Sequence, residues 1–188
     1  MTAAPVGRPS KSMERLSKQL ILETALPIVQ AKGAGALSFR VLADKLKVTP
    51  MAVTYHTGNR RQLLADLVSL AFKSTLPDIA IESPSQKAKE ILLAYCRRAL
   101  LNANLLRAVL EDVSLMSEDL NGITRELQTC TGQLDNGDRD NVLLHLLIDY
   151  THGFVFSATS GKDNPLTIED YSRGIEWILR RAQGDAGR

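Results

Sequence analysis

An all-α fold is expected from three features of the chain. Hydrophobic residues make up 44% of it but aromatics only 5%, leucine is abundant, and runs of β-branched residues are short, a balance that favours helix over strand. Apolar positions recur at three- and four-residue spacing through much of the length. Gly, Pro, Asn and Ser interrupt those stripes where caps and turns are needed. The expected architecture is a small N-terminal helix-turn-helix domain of three helices joined to a larger helical bundle.

Residues 1–12 form a basic arm rich in Pro, Gly and Ser, a composition without enough apolar surface to fold alone. Arg8 and Lys11 are its cations. Such an arm reaches a minor groove or is a solvated tail. A first helix is expected over residues 13–32, with Leu16, Leu20, Ile21, Ala25, Ile28 and Val29 as its apolar stripe. Pro27 predicts a kink, and Gly33 and Gly35 end the helix.

The most informative stretch is residues 37–61, LSFRVLADKLKVTPMAVTYHTGNRR. Ser38 is an N-cap, since its hydroxyl can accept from an early backbone N–H. Val41, Leu42, Leu46 and Val48 supply apolar contacts, and Ala43 is small where a second helix must cross. Thr49 is a second N-cap, and Pro50 falls at the first helical position, where its missing N–H costs nothing. Val53 anchors this second helix inward. Gly58 can take the left-handed conformation that ends it, and Asn59 with Gln62 makes a capping box for the next helix. The exposed residues between the caps, Met51, Ala52, Thr54, Tyr55 and His56, carry no net charge. A groove-reading helix can look like that, because base edges take hydrogen bonds and methyl contacts while phosphates take charge.

A fourth helix is expected over residues 60–74, with Leu63, Leu64, Leu67, Leu70, Ala71 and Phe72 inward. PDIAIESPS (residues 77–85) breaks the pattern and marks a domain boundary. The expected division is an arm at 1–12, a helix-turn-helix domain at 13–58, a connecting helix at 59–76 and a body at 77–188. The body starts with a helical run over residues 86–112, split near Asn102 to Asn104, followed by a helix over 118–130. In the loop TGQLDNGDRDN, Asp135, Asp138 and Asp140 resemble half a calcium loop but lack the spacing and the closing Glu, so a turn is expected. Residues 140–159 are apolar nearly all round, a helix buried on both sides. The last helix, over 168–182, has Tyr171, Ile175, Ile178 and Leu179 on one face and Trp177 off it. Two adjacent C-terminal helices with surplus apolar surface predict a homodimer built on a shared four-helix bundle.

Charge divides the chain. Residues 1–61 hold ten Lys or Arg against three acids, +7, and the remaining 127 hold thirteen against eighteen, −5. A basic head on an acidic body suits a polyanion-binding module. Cys96 and Cys130 stand far apart, outside any disulfide or zinc pattern, and are expected to be buried free thiols. The first residues lack the apolar core of a signal peptide. No stretch is expected to cross a bilayer, because VLLHLLIDYTHGFVFSA is interrupted by His145, Asp149 and His152. A cytoplasmic location follows. Those three residues lie at i, i+4 and i+7; polar lining of a pocket or seam is expected there and no metal. No nucleophile signature or glycine-rich phosphate loop is present, so neither catalytic residues nor a cofactor are expected. A pocket between body helices would take Tyr95, Leu106, Leu110, Met116, His145, Tyr150 and Phe154 as lining, leaning towards an apolar or amphipathic small molecule.

The segments ILETALPIVQAKG, LSFRVLADKLKV, TPMAVTYH and NRRQLLADL resemble the TetR family of transcriptional regulators. The resemblance is specific over residues 13–72 and architectural beyond. It implies a DNA-binding head and a ligand-binding, dimer-forming helical body that usually represses transcription until a small-molecule effector binds. It implies that Met51 and Ala52 lie over bases, that Thr54, Tyr55 and His56 reach bases or backbone, and that Arg40 faces DNA. Arg60 would point at phosphate, with Arg8 and Lys11 acting from the arm. Ser38, Thr49 and Pro50, at the two helix starts, complete the expected interface with a double-stranded operator. Three positions depart from the family pattern: Lys47 for a turn glycine, Thr54 for a tyrosine and Thr57 for a phenylalanine. The alternative is an adaptor that keeps the helix-turn-helix as a structural element without an effector; the cations around one motif speak against it.

Overall fold

A computed structural model describes residues 16–76, 81–134, 139–160 and 166–185. Among these residues there are nine α-helices, two 3₁₀ turns and no strand. The head holds α1 (Lys18–Lys32), α2 (Phe39–Leu46) and α3 (Pro50–Thr57), and α4 (Arg60–Phe72) leads away from it. The body holds α5 (Pro84–Leu101), α6 (Ala103–Glu111), α7 (Glu118–Leu134), α8 (Val142–Ser160) and α9 (Ile168–Asp185).

The predicted caps are formed. Ser38 Oγ accepts from the Val41 N–H and Thr49 Oγ1 from the Ala52 N–H, each at 3.2 Å. Asn59 and Gln62 bond reciprocally, at 3.0 and 2.8 Å. Each cap contributes about 1 kcal/mol to its helix. Gly58 sits at φ 69°, which favours glycine, and a Cβ there would also displace the Gln62 side chain from the capping box. Lys47 takes the left-handed conformation (φ 58°, ψ 42°) that the turn demands. The Val48 N–H thereby reaches the Ala43 carbonyl at 3.0 Å, and the strain of a side chain there costs about 1 kcal/mol.

Several expectations are corrected. Helix α1 is capped by Ser17 and starts at Lys18; residues 13–15 and the arm with Arg8 and Lys11 lie outside the described residues. Helix α1 keeps its helical assignment through Pro27, and Pro27 and Glu23, whose carbonyl it cannot serve, are both exposed. Leu22, not Leu20, is buried with Ile21, Ala25 and Val29, and Val41 faces out. Helix α7 continues to Leu134, taking in residues expected to be loop. Of that loop's Asp135, Asp138 and Asp140, only Asp140 is among the described residues.

In the body α5 is central and packs against α7, α8 and α9. The helical run breaks at Asn102, which is buried, donates to the Arg98 carbonyl and accepts from Gln30 of α1, both at 2.9 Å. A cap that bonds across to the head fixes where α5 ends. Within the single chain, helix α8 is buried on one side. Leu143, Leu144, Leu147, Thr151, Phe154 and Val155 face the core, while Val142, His145, Leu146, Asp149 and Gly153 are exposed. By length and composition alone its 19 residues would reach across a membrane, against the sequence expectation; here the helix is one wall of the bundle.

Helix α9 meets α8 closely at Gly174, where a Cβ would stand 2.0 Å from Tyr150 Oη and 2.5 Å from Cζ. The Tyr150 ring cannot yield freely, being stacked on Tyr171 with centroids 5.6 Å apart. Gly174→Ala is therefore expected to destabilise the fold by about 1–3 kcal/mol. Gly132→Ala on α7, with no atom within 4 Å, should instead stabilise by about 0.5–1 kcal/mol through helix propensity. Urea unfolding of the two variants checks the contrast.

Candidate nucleic-acid interface and effector cavity

Helix α3 is held down by two residues. Val53 is fully buried, and Thr57 is buried with its hydroxyl donating to the Val53 carbonyl at 2.9 Å. That bond satisfies the polar group which replaces a larger apolar one. Facing away, Met51 is 77% exposed and Tyr55 85%. His56 is half-buried and meets the Tyr55 ring edge-on at 5.3 Å. Thr54 and Ala52 are also half-buried. The Thr54 hydroxyl donates to the Pro50 carbonyl at 3.1 Å, leaving its lone pairs but no proton for an outside partner. Ser38, Thr49, Pro50 and Arg40 are exposed; the two capping hydroxyls accept from backbone and keep their protons to donate. Lys45 and Lys47 are exposed around the same turn and add cations that the choice of site residues left out.

Arg60 is exposed but engaged. Its Nη2 donates to the Ala34 carbonyl at 2.7 Å and its Nε to that of Leu37 at 3.5 Å. The guanidinium ties the start of α4 to the connection between α1 and α2 and keeps further N–H groups for an outside acceptor. Arg61 is also engaged: its Nε donates to Ser114 Oγ at 2.9 Å and lies 3.8 Å from Asp112. Lys18 pairs with Asp66 at 2.7 Å. Part of the basic excess of the head is therefore spent within the chain.

The body holds a cavity of about 220 Å³ that opens to solvent beside the exposed Leu110 and Met116. Tyr95 of α5 closes one side; α6 supplies Leu106, Val109 and Leu110; Met116 follows it; α7 supplies Leu120, Ile123, Thr124 and Leu127; α8 supplies Ile148 and His152. Of the seven residues expected to line a pocket, Tyr95, Leu106, Leu110 and Met116 do, and His145, Tyr150 and Phe154 do not. Tyr150 and Phe154 lie about 200° round α8 from Ile148 and His152. They face α9 instead, where both pack against Tyr171. His145 is exposed two turns before His152. The His145, Asp149, His152 trio is thus split between cavity and surface, and no group that could hold a metal occurs among the described residues.

Tyr95 Oη and His152 Nε2 are hydrogen-bonded at 2.9 Å. Burial pushes the Tyr95 hydroxyl well above its ordinary pKa. Burial also pulls the His152 imidazole below its own, with Asp149 opposing weakly. Both are neutral at pH 7. The thiols are buried as expected, and burial raises Cys96 to about 12, so it is inert.

Helix α6 touches both regions. Its inner face lines the cavity, and Asn104 at its start donates to the Gln30 carbonyl of α1 at 3.0 Å. Just past its end Asp112 and Ser114, in the 3₁₀ turn Val113–Leu115, hold Arg61 of α4.

No protein-family model and no curated protein matches the chain. Solved structures do. BioQ of Mycobacterium smegmatis is 22% identical, with 90% of this chain and 99% of that chain covered at a TM-score of 0.74. BioQ bound to its double-stranded DNA operator is 21% identical with the same coverage and a TM-score of 0.72. ActR of Streptomyces coelicolor, a TetR family protein in complex with actinorhodin, is 21% identical over 92% and 99% of the two chains at 0.65. The chain has the all-α fold of TetR-family regulators, with a helix-turn-helix head.

Proposed function

We propose that the chain is a cytoplasmic DNA-binding transcriptional regulator, a repressor that a small-molecule effector releases from a near-palindromic operator. The observation that carries this reading is α3 itself. A short, well-capped helix leaves a methionine and a tyrosine 77% and 85% exposed, beside the exposed cations Arg40, Lys45 and Lys47. Apolar and aromatic groups flanked by positive charge suit base edges flanked by phosphates. The DNA-bound BioQ and the actinorhodin-bound ActR support an operator and an effector for this fold.

A homodimer through α8 and α9 would set two recognition helices about 34–36 Å apart, in successive major grooves. An effector in the cavity would press on α6 and, through Asp112, Ser114 and Arg61, on the start of α4. It would favour the conformer that fits DNA less well. Arg61→Ala and Asp112→Ala should both weaken the effector's influence on DNA affinity, by up to about fivefold, the limit for an exposed pair. If only Arg61→Ala acts, and the salt slope of binding falls by about 0.9, Arg61 serves a phosphate instead.

Selection of bound fragments from genomic DNA with the purified full-length protein tests the whole reading. A two-fold symmetric motif is expected. Uniform recovery of all sequences, lost in moderate salt, would leave only non-specific polyanion binding.

A further inference from the structure

Building on the reading of the cavity as the effector site, we propose that it takes a compact, uncharged, largely hydrocarbon molecule with one hydroxyl or carbonyl oxygen, held by the Tyr95–His152 pair. Size sets the first limit. A cavity of about 150 Å³ accepts benzene, so about 220 Å³ accepts one substituted ring or an equivalent short chain.

Charge sets the second limit. His152 is the one acidic or basic side chain that lines the cavity, and burial favours the neutral form of both His152 and Tyr95. A carboxylate or ammonium entering it would shed its water and find no counter-charge.

Hydrogen bonding sets the third. Thr124 already donates to the Leu120 carbonyl at 3.2 Å and can only accept, and the other lining residues besides Tyr95 and His152 are hydrocarbon or thioether. The polar anchor that can serve either a hydroxyl or a carbonyl is therefore the bond between Tyr95 Oη and His152 Nε2. It works in either sense. When tyrosine donates to the imidazole, the phenol oxygen accepts from a ligand hydroxyl. When the imidazole donates, the phenol proton turns to a ligand carbonyl. One ligand oxygen is satisfied in each case, and a second would be stranded among Leu106, Ile123 and Leu127.

The test uses the full-length protein and three ring compounds of one shape: 4-ethylphenol, ethylbenzene and 4-ethylbenzoate. Calorimetry and thermal shift at pH 7.5 should rank the phenol about tenfold above the hydrocarbon, with the carboxylate not bound. Tyr95→Phe should erase the phenol's advantage and leave ethylbenzene binding intact; His152→Gln repeats the test from the other side of the pair. Carboxylate binding as tight as the phenol, no binding of either neutral compound, or a phenol advantage that survives both substitutions would overturn the proposal. DNA affinity is measured separately. A phenol that binds with the expected pattern but leaves operator affinity unchanged upholds the ligand class and defeats the regulatory reading. A carboxylate that binds preferentially and releases DNA does the reverse.

Discussion

Replacing Leu146 with Arg is expected to turn a dimer into a monomer and to lower operator affinity by about two to four orders of magnitude. Leu146 is 50% exposed in the single chain, on the outward side of α8 beside Val142. Trp177 of α9 is also exposed, at 56%. The inward side of α8 completes the core without any of them. A half-covered leucine on such a helix is where a second copy would close the seam, and a guanidinium there would lose its water without a partner. The operator penalty is larger than the seam's own energy. Two heads joined in one particle bind the second half-site as an intramolecular step, worth about 10²–10⁴ in avidity, and a monomer forfeits it. Sedimentation and operator titration read the two effects, and circular dichroism checks that the fold survives. Val113→Arg is the matched control, since Val113 is as apolar and 72% exposed but lies on the 3₁₀ turn beside α4. A Leu146→Arg protein that remains dimeric with full affinity would place the seam elsewhere.

The head was readable from sequence because its signals are local. Ser38, Thr49, Pro50, Gly58 and Asn59 each fix one backbone feature within four residues, and each does so in the structure. Lys47 shows the limit of residue preference: the turn needs a positive φ and imposes it on lysine. The cavity was only half readable. Helix α8 is apolar nearly all round, so its period could not tell the face of Ile148 and His152 from that of Tyr150 and Phe154. Packing of α9 through Gly174 settles it, and nothing local announces that contact. The bracing role of Arg60 was not legible for a similar reason. Its partners, the carbonyls of Ala34 and Leu37, lie more than twenty residues back in the chain.

Tyr55→Ala and Met51→Ala should each lower operator affinity by about ten- to a hundredfold while leaving stability within about 0.5 kcal/mol of the parent protein. The two halves of that expectation constrain each other. Val53 and Thr57 anchor α3, and the Thr49 cap and the left-handed Gly58 set its ends; neither Met51 nor Tyr55 contributes to any of these. Truncating them removes no cavity-filling group, so a loss of DNA binding cannot be charged to unfolding. The dimer doubles each change, once per half-site. The residues should then part company. Met51 is a flexible apolar side chain suited to a thymine methyl, so its loss should relax preference at one operator position. Tyr55, steadied by the edge of His56, has a hydroxyl that can reach phosphate, and its loss should weaken all sequences alike. Binding selections with the two variants separate those patterns. If both proteins keep full affinity and the same preferred sequence, α3 does not enter the groove and the helix-turn-helix serves as a structural element. That outcome would also remove the need for the cations Arg40, Lys45 and Lys47 to stand exposed around it.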